Sequence, residues 1–325
     1  MMNRFKIGIT PIAFIQKSSL IEEIEKHNFA EVRLNKTKYP LDGNDLIDFL
    51  QDLDGSIIGR ERIDENILRN SPTVKVLSKY GVGMDNVDLK VCGEYGVDVV
   101  FSQGVNRRSV AEQTLAFMIF LVRNLYDPSL KLKTAAWERI EGRQLTGKNV
   151  GIIGVGNVGK EVVELLKPFN CEIRVNDIID QHDYYTKNGL KETSKENIYE
   201  NCDIISIHTP LTKMTENMIS KKALEIMRPD AFLINTARGA IVNQDDLKWA
   251  LKSGVIAGAA VDVFEMEPPD DKDFLGLENL ICTPHLGGYA REAIMAMGMA
   301  SIQNLLCFFR LKDEERNQGK KDSEI

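Results

Sequence analysis

Short β-branched runs alternate with segments of helical period along almost the whole chain. The first set of runs covers residues 6–10, 30–34, 56–58, 74–77 and 97–101. The second covers 150–153, 172–176, 203–207, 231–235, 259–263 and 280–282. Strands separated by helices predict βαβ units with parallel sheets, hence an α/β fold. The second set is more continuously apolar (DIISIH, AFLINT, GAAVDVF), as strands covered on both faces should be. Between the sets, residues 109–124 are apolar almost all round, which predicts a helix buried between domains or subunits. A more polar connector at 126–148 carries Trp137, and 292–311 reads as a helix. The last stretch, 312–325, has 9 charged residues in 14 and reads as a solvated end.

At 325 residues the pattern has room for two domains. Acidic residues outnumber basic ones 48 to 41, so the chain lacks the basic footprint of a nucleic-acid binder. The longest apolar run, 115–122, falls well short of the ~20 residues that span a bilayer, so no membrane partner is expected. The start, MMNRFKIGIT, reaches Pro11 before a long apolar core develops and makes a poor signal peptide. Five cysteines, Cys92, Cys171, Cys202, Cys282 and Cys307, form no C-x-x-C pair. They are expected to be reduced, buried thiols of a cytoplasmic protein, with no metal role.

One motif changes the picture. Residues 150–159 read VGIIGVGNVG: an apolar strand runs into Gly154, Gly156 and Gly159, then into the helical pattern KEVVELLKPF. The first glycine suits a tight turn, the second a close approach to a pyrophosphate, and the third the packing of helix on strand. The helix N-terminus then offers unpaired N–H groups to phosphate. The next strand ends in Asp177, 18 residues beyond Gly159, close to the ~20 expected of the acid that accepts ribose hydroxyls. No Arg or Lys follows at 178–180 to hold an extra phosphate, so NAD is favoured over NADP.

Hydride chemistry needs a proton donor, and the chain has four histidines. His27 and His182 lie in polar surroundings. His208 and His285 each follow a strand, where open parallel sheets bind ligands, and position alone leaves both open. Strand 231–235 leads into Thr236-Ala237-Arg238-Gly239, and strand 259–263 leads into Phe264-Glu265-Met266-Glu267-Pro268-Pro269. An arginine, a glutamate and a histidine thus share one sheet edge. Arg can clamp a carboxylate through two parallel N–H bonds, and Glu can orient a His.

With these motifs in order (GVGMDNVD at 81–88, SVAEQTLA at 109–116, the glycine loop, HTPLT at 208–212, NTARGAIV, AVDVFEMEPP, TPHLGG), the chain resembles the D-isomer-specific 2-hydroxyacid dehydrogenases. Within them it is similar to the D-3-phosphoglycerate dehydrogenase-like members, over roughly residues 5–310. The resemblance implies two Rossmann-like domains, the NAD-binding one inserted into a flavodoxin-like substrate domain, with boundaries 1–104 and 291–325 against 105–290. It implies a site in the cleft between them, closed by domain motion, and a homodimer with residues 115–122 in its interface. It assigns Arg238 to the substrate carboxylate, His285 to the proton, and Glu267, not Glu265, to the support of His285. Cofactor positions fall on Gly154, Gly156, Asn157, Val158, Gly159, Asp177, Thr209, Thr236, Ala237, Asp262 and Gly287. The loop Tyr80-Gly81-Val82-Gly83 should offer N–H groups to the carboxylate.

The chain departs from its phosphoglycerate relatives at GSIIGRERI, where Gly59 stands in place of the phosphate-binding arginine. Arg60 is one residue later, and a one-residue slip on a strand points to the opposite face. Arg107 and Arg108 are alternative anion contacts, or a solvated basic pair. No regulatory domain and no serine feedback are expected. The activity implied is NAD-dependent interconversion of a D-2-hydroxy acid and its 2-oxo acid, with 3-phosphoglycerate/3-phosphohydroxypyruvate one candidate pair. Alternatives are a glyoxylate or hydroxypyruvate reductase, and a non-catalytic NAD sensor, against which Arg238, Glu267 and His285 argue.

Overall fold

The computed structural model describes residues 4–322, with side chains described to residue 311. The expected solvated end at 312–325 therefore lies outside the residues whose side chains are described. The chain divides into two compact units, residues 1–106 with 291–325, and residues 107–290.

The first unit is built on a parallel sheet of β1 (Lys6–Ile9), β2 (Glu31–Leu34), β3 (Gly55–Ile58), β4 (Val76–Lys79) and β5 (Asp98–Val100), in the order β2-β1-β3-β4-β5. This is the flavodoxin-like order, and its switch point lies between β1 and β3. Both faces are covered. Ile7, Ile9, Ile57 and Val76 enter one core, while Ile58 and Leu77 enter the other with Leu46, Leu50 and Leu68. The helix Arg291–Asp322 closes the first of these cores with Ile302, Leu305, Leu306 and Phe309. Phe309 stacks on Phe5 at 4.2 Å.

Residues 291–311 of that helix are long and apolar enough, by length and composition, to cross a membrane. This corrects the expectation that no segment comes near that length. An uninterrupted apolar run is a poor guide to such a helix, because glycine, serine and asparagine interrupt the run without ending the helix. Its apolar positions at 302, 305, 306 and 309 recur at helical spacing and are buried against the sheet, as in a core helix of an α/β layer.

The second unit holds seven parallel strands: β6 (Asn149–Ile153), β7 (Glu172–Asn176), β8 (Lys191–Glu192), β9 (Ile204–Ile207), β10 (Phe232–Asn235), β11 (Gly258–Val261) and β12 (Leu280–Cys282). Their order, β12-β11-β10-β9-β6-β7-β8, is the Rossmann order with an added edge strand, and the switch point lies between β6 and β9. Successive residues serve opposite cores: Ile205, Ile207 and Leu233 on one face, Ile204, Phe232 and Ile234 on the other. The helix Arg107–Val122 packs in this unit, burying Ala111, Phe117, Met118, Leu121 and Val122 in the second core. The expectation of five buried thiols holds for two of them, and Cys171 and Cys282 are half-buried. Cys92 and Cys202 are buried, with thiols pushed up to about 11 by desolvation, but Cys307 is exposed on the outer side of its helix.

Candidate active site

The glycine loop sits at the switch point of the second unit. Gly154 has φ +94, and a Cβ there would meet the His208 carbonyl carbon at 2.7 Å, so only glycine lets β6 and β9 close up. A Cβ on Gly159 would lie 2.2 Å from the Gly154 carbonyl oxygen, which fixes the helix Asn157–Leu166 against the turn. At Gly156 a Cβ would meet nothing within 4 Å. That glycine leaves open space directly over the helix N-terminus formed by Asn157 and Val158, as a pyrophosphate requires. The Asp177 carboxylate follows β7 and is held by the N–H groups of Val155 at 2.6 Å and Ile179 at 3.0 Å. Thr209, just beyond β9, has a buried hydroxyl oxygen with no hydrogen-bond partner. An orphaned hydroxyl beside an open glycine cradle is what a dinucleotide would complete, so the residues present fit NAD.

The two histidines left open by the sequence stand in different environments. His208 lies against Ser206, its Nε2 2.9 Å from the hydroxyl, and desolvation pushes its pKa down to about 3. It stays neutral at any physiological pH and supplies no proton. His285 is half-buried, and its Nδ1 lies 2.8 and 3.0 Å from the two carboxylate oxygens of Glu267. A carboxylate accepts from Nδ1–H, so the ring is held in the tautomer that leaves Nε2 for a reactant. Glu265 points elsewhere, accepting from the Gln244 N–H at 2.9 Å at a helix start. His27 faces Glu23 at 3.7 Å, and His182 faces Thr186 at 3.4 Å on the exposed side.

Arg238 is placed by an Asx turn after β10: Asn235 accepts from the Ala237 N–H and donates to the Arg238 carbonyl. Gly239 then packs so closely on the next loop that a Cβ would lie 1.9 Å from the Phe264 carbonyl carbon. The arginine turn and the Phe264–Glu267 loop are thereby adjacent. Asp262, at the end of β11, is 1% exposed. Its Oδ1 accepts from Gln113, Thr283 and the Leu286 N–H, and its Oδ2 from the Gly287 N–H. Three donors thus meet on Oδ1 and one on Oδ2. Asp262 thereby holds the loop that carries His285, chiefly through Oδ1. The Gly287 carbonyl accepts from Ser109 at 2.6 Å, and Thr236 shares its hydroxyl with Thr114 at 3.0 Å. Gln113, Ser109 and Thr283 were not singled out by sequence reading. For Ser109 and Gln113 the only signal within SVAEQTLA is a polar residue in a largely apolar helix, and Thr283 opens the TPHLGG stretch after β12.

Arg107 and Arg108 both pair with Glu161 on the glycine-loop helix, at 3.2 and 3.1 Å, and Arg108 also with Glu112 at 2.7 Å. In the first unit Arg60 is exposed at the switch point between β1 and β3. The strand β3 ends at Ile58, so Arg60 lies in a turn and strand alternation does not set its direction. That turn is fixed from below: Lys79 Nζ donates to the Gly59 carbonyl and to Asn86, and Glu61 accepts from the Gly59 N–H. Lys79 and Asn86 also bracket the Gly81–Gly83 turn, where Gly81 has φ +111, at the same edge as Val82.

The second unit matches the family model of the D-isomer-specific 2-hydroxyacid dehydrogenase NAD-binding domain over residues 115–287. The chain is 32% identical over 298 residues to a glyoxylate reductase of Thermococcus litoralis, covering 89% of each chain. It is 33% identical over 297 residues to a D-3-phosphoglycerate dehydrogenase of Methanocaldococcus jannaschii, spanning 90% of this chain but only 55% of that one. Its structure superposes on D-lactate dehydrogenase from Aquifex aeolicus, complexed with NAD and lactic acid, with a TM-score of 0.82 at 25% identity, covering 97% and 98% of the two chains. With a doubly wound unit, a glycine cradle, and the His285–Glu267 pair beside Arg238, the chain belongs to the D-isomer-specific 2-hydroxyacid dehydrogenase family and carries its NAD-binding domain.

Proposed function

We propose that the protein reduces a small, unphosphorylated 2-oxo acid of the glyoxylate or hydroxypyruvate class to its D-2-hydroxy acid. The observation that carries the chemistry is the 2.8 Å contact between His285 Nδ1 and Glu267. NAD, when bound over Gly154–Gly159, supplies the hydride donor and acceptor. The chain supplies the rest. Arg238 takes the substrate carboxylate, and His285 Nε2 delivers a proton to the carbonyl oxygen as it becomes hydroxyl. Glu267 keeps the imidazole turned and compensates its charge. The substrate reading is supported by the pairing of Arg107 and Arg108 with Glu161, which offsets part of the positive charge a phosphate would seek.

A second reading, reduction of 3-phosphohydroxypyruvate, is favoured by Arg60 at the switch point of the first sheet. NADH oxidation with glyoxylate, hydroxypyruvate and phosphohydroxypyruvate separates the two, with His285→Ala as the control. The expected order places the unphosphorylated acids first. A preference for the phosphorylated acid that disappears in Arg60→Ala would establish the second reading instead.

We further propose that the protein is a cytoplasmic homodimer. Five cysteines kept as free thiols support the compartment. Within 115–122 only Ala116 and Phe120 are exposed, so that run is core, and the apolar surface lies at Phe120 and across 125–140 instead.

A further inference from the structure

We propose that Gln113 is a positioning residue for the proton transfer, fixing the loop that carries His285. The inference rests on the reading of His285 as proton donor. Gln113 stands on the helix Arg107–Val122, and its amide Nε2 lies 2.8 Å from Asp262 Oδ1 and 2.8 Å from Thr283 Oγ1. A side-chain amide has two N–H donors, and both are used. Thr283 in turn donates to the same Asp262 oxygen, so the three groups close a small ring.

His285 hangs from that ring. Its backbone N–H donates to the carbonyls of Asp262 at 2.8 Å and Thr283 at 3.0 Å. Its φ is +54, a left-handed conformation that a side-chain-bearing residue holds only when its surroundings impose it. Leu286 and Gly287, the next two residues, are held by Asp262 as well. The loop 283–287 is therefore pinned through one buried carboxylate, and Gln113 is the side-chain donor that ties this carboxylate to a different element. Without it, the buried Asp262 keeps its charge but loses a donor, and Thr283 loses the amide that fixes its hydroxyl. The carboxylate would seek compensation by shifting the loop, and the imidazole would move with it relative to Glu267. Displacements of about 1 Å at a proton-transfer distance cost up to about a hundredfold in rate.

Two substitutions test this. Gln113→Met keeps the length and removes both donors. Gln113→Glu places a carboxyl against Asp262; ionised it repels, and protonated it donates as the amide did. The titratable groups facing this point are Asp262 from β11 and the His285–Glu267 pair on the two loops, while Glu112 is turned to Arg108. The expected results are a kcat for Gln113→Met about tenfold below wild type, with the fluorescence-measured affinity for NADH unchanged. For Gln113→Glu, kcat relative to wild type should climb as pH is lowered from about 8 to about 6, as the introduced carboxyl protonates. A purely structural role would lower the thermal midpoint of both variants and leave that pH-dependent recovery absent, which overturns the proposal. So does a Gln113→Met variant with kcat within about twofold of wild type. Should Gln113→Met fail to fold, Thr283→Val removes the other arm of the bridge and carries the same test. An active His285→Ala would remove the reading beneath the proposal, whereas an inactive His285→Ala beside a fully active Gln113→Met would remove the proposal alone.

Discussion

At the scale of single residues, the acid–base pair has a clear physical logic and two measurable consequences. Glu267 serves His285 by its charge as well as its geometry. Glu267→Gln keeps an oxygen for Nδ1–H but withdraws the negative charge that stabilises the imidazolium, so kcat for 2-oxo acid reduction should fall about 10- to 100-fold with KM little changed. Turnover within twofold of wild type would show that orientation alone is what Glu267 provides. His208 supplies the second consequence. Folded, it remains neutral down to about pH 3, whereas in the unfolded chain it takes up a proton near its ordinary 6.5. Between those values the unfolded state binds more protons, so stability falls as pH drops through that window, by at most about 2 kcal/mol between pH 6.5 and 5. His208→Asn should flatten that slope in urea unfolding at pH 7 and 5, and an unchanged difference between the two pH values would refute the assignment. The loops that carry Arg238, Glu267 and His285 were legible in the sequence because they come after strands that the apolar pattern marks. That position left His208 and His285 both open, and the family resemblance supplied His285 and Glu267. Gln113 was not legible, because its partners lie 149 and 170 residues away and no local pattern encodes such a bond.

At the scale of elements, the pattern located every long strand and missed only the shortest. The strand β8 is two exposed charged residues at the sheet edge, Lys191 and Glu192, and carries no apolar alternation to read. The strands that were legible are those buried on both faces, where hydrophobicity itself is the signal. Turns were less legible. Arg60 was judged by strand alternation although it lies past the end of β3, and only the lattice of Lys79, Glu61 and Asn86 beneath Gly59 shows how that turn is held. The glycine loop gives the sharpest test at this scale, because its glycines do different jobs. Gly159→Ala forces a methyl group to within 2.2 Å of a backbone oxygen, so it should destabilise the unliganded protein by about 1–3 kcal/mol. Gly156→Ala adds a methyl group to open space, so the thermal midpoint should hold while NADH affinity drops. If both variants lost stability alike, or Gly156→Ala bound NADH as wild type does, the assignment of the open cradle to the cofactor would fall.

For the whole molecule, the fold class followed from the alternation of strands and helices, while the placement of the exposed apolar surface did not. The helix Tyr126–Lys133 buries none of its residues. A helix of 8 residues is marginal in water unless something packs on it. Around it Phe120, Leu125, Leu130, Leu132 and Ile140 are each at least 40% exposed, and Trp137 is 79% exposed. Soluble monomers rarely leave so many large apolar side chains on one stretch of surface, and a second copy of the chain would cover them. A stable homodimer needs about 800 Å² from each partner, which a helix and the extended segment after it can provide. Light scattering during size exclusion should then give twice the 36.6 kDa of one chain. Trp137→Glu should shift the population toward monomer, lower the thermal midpoint and make it depend less on protein concentration, since unfolding is then less coupled to dissociation. Charge at the centre of an apolar interface is costly, so the shift in association should exceed tenfold, about 1.4 kcal/mol. A wild-type protein that runs as a monomer at micromolar concentration, with a concentration-independent midpoint, would mean that this surface faces solvent or a different partner.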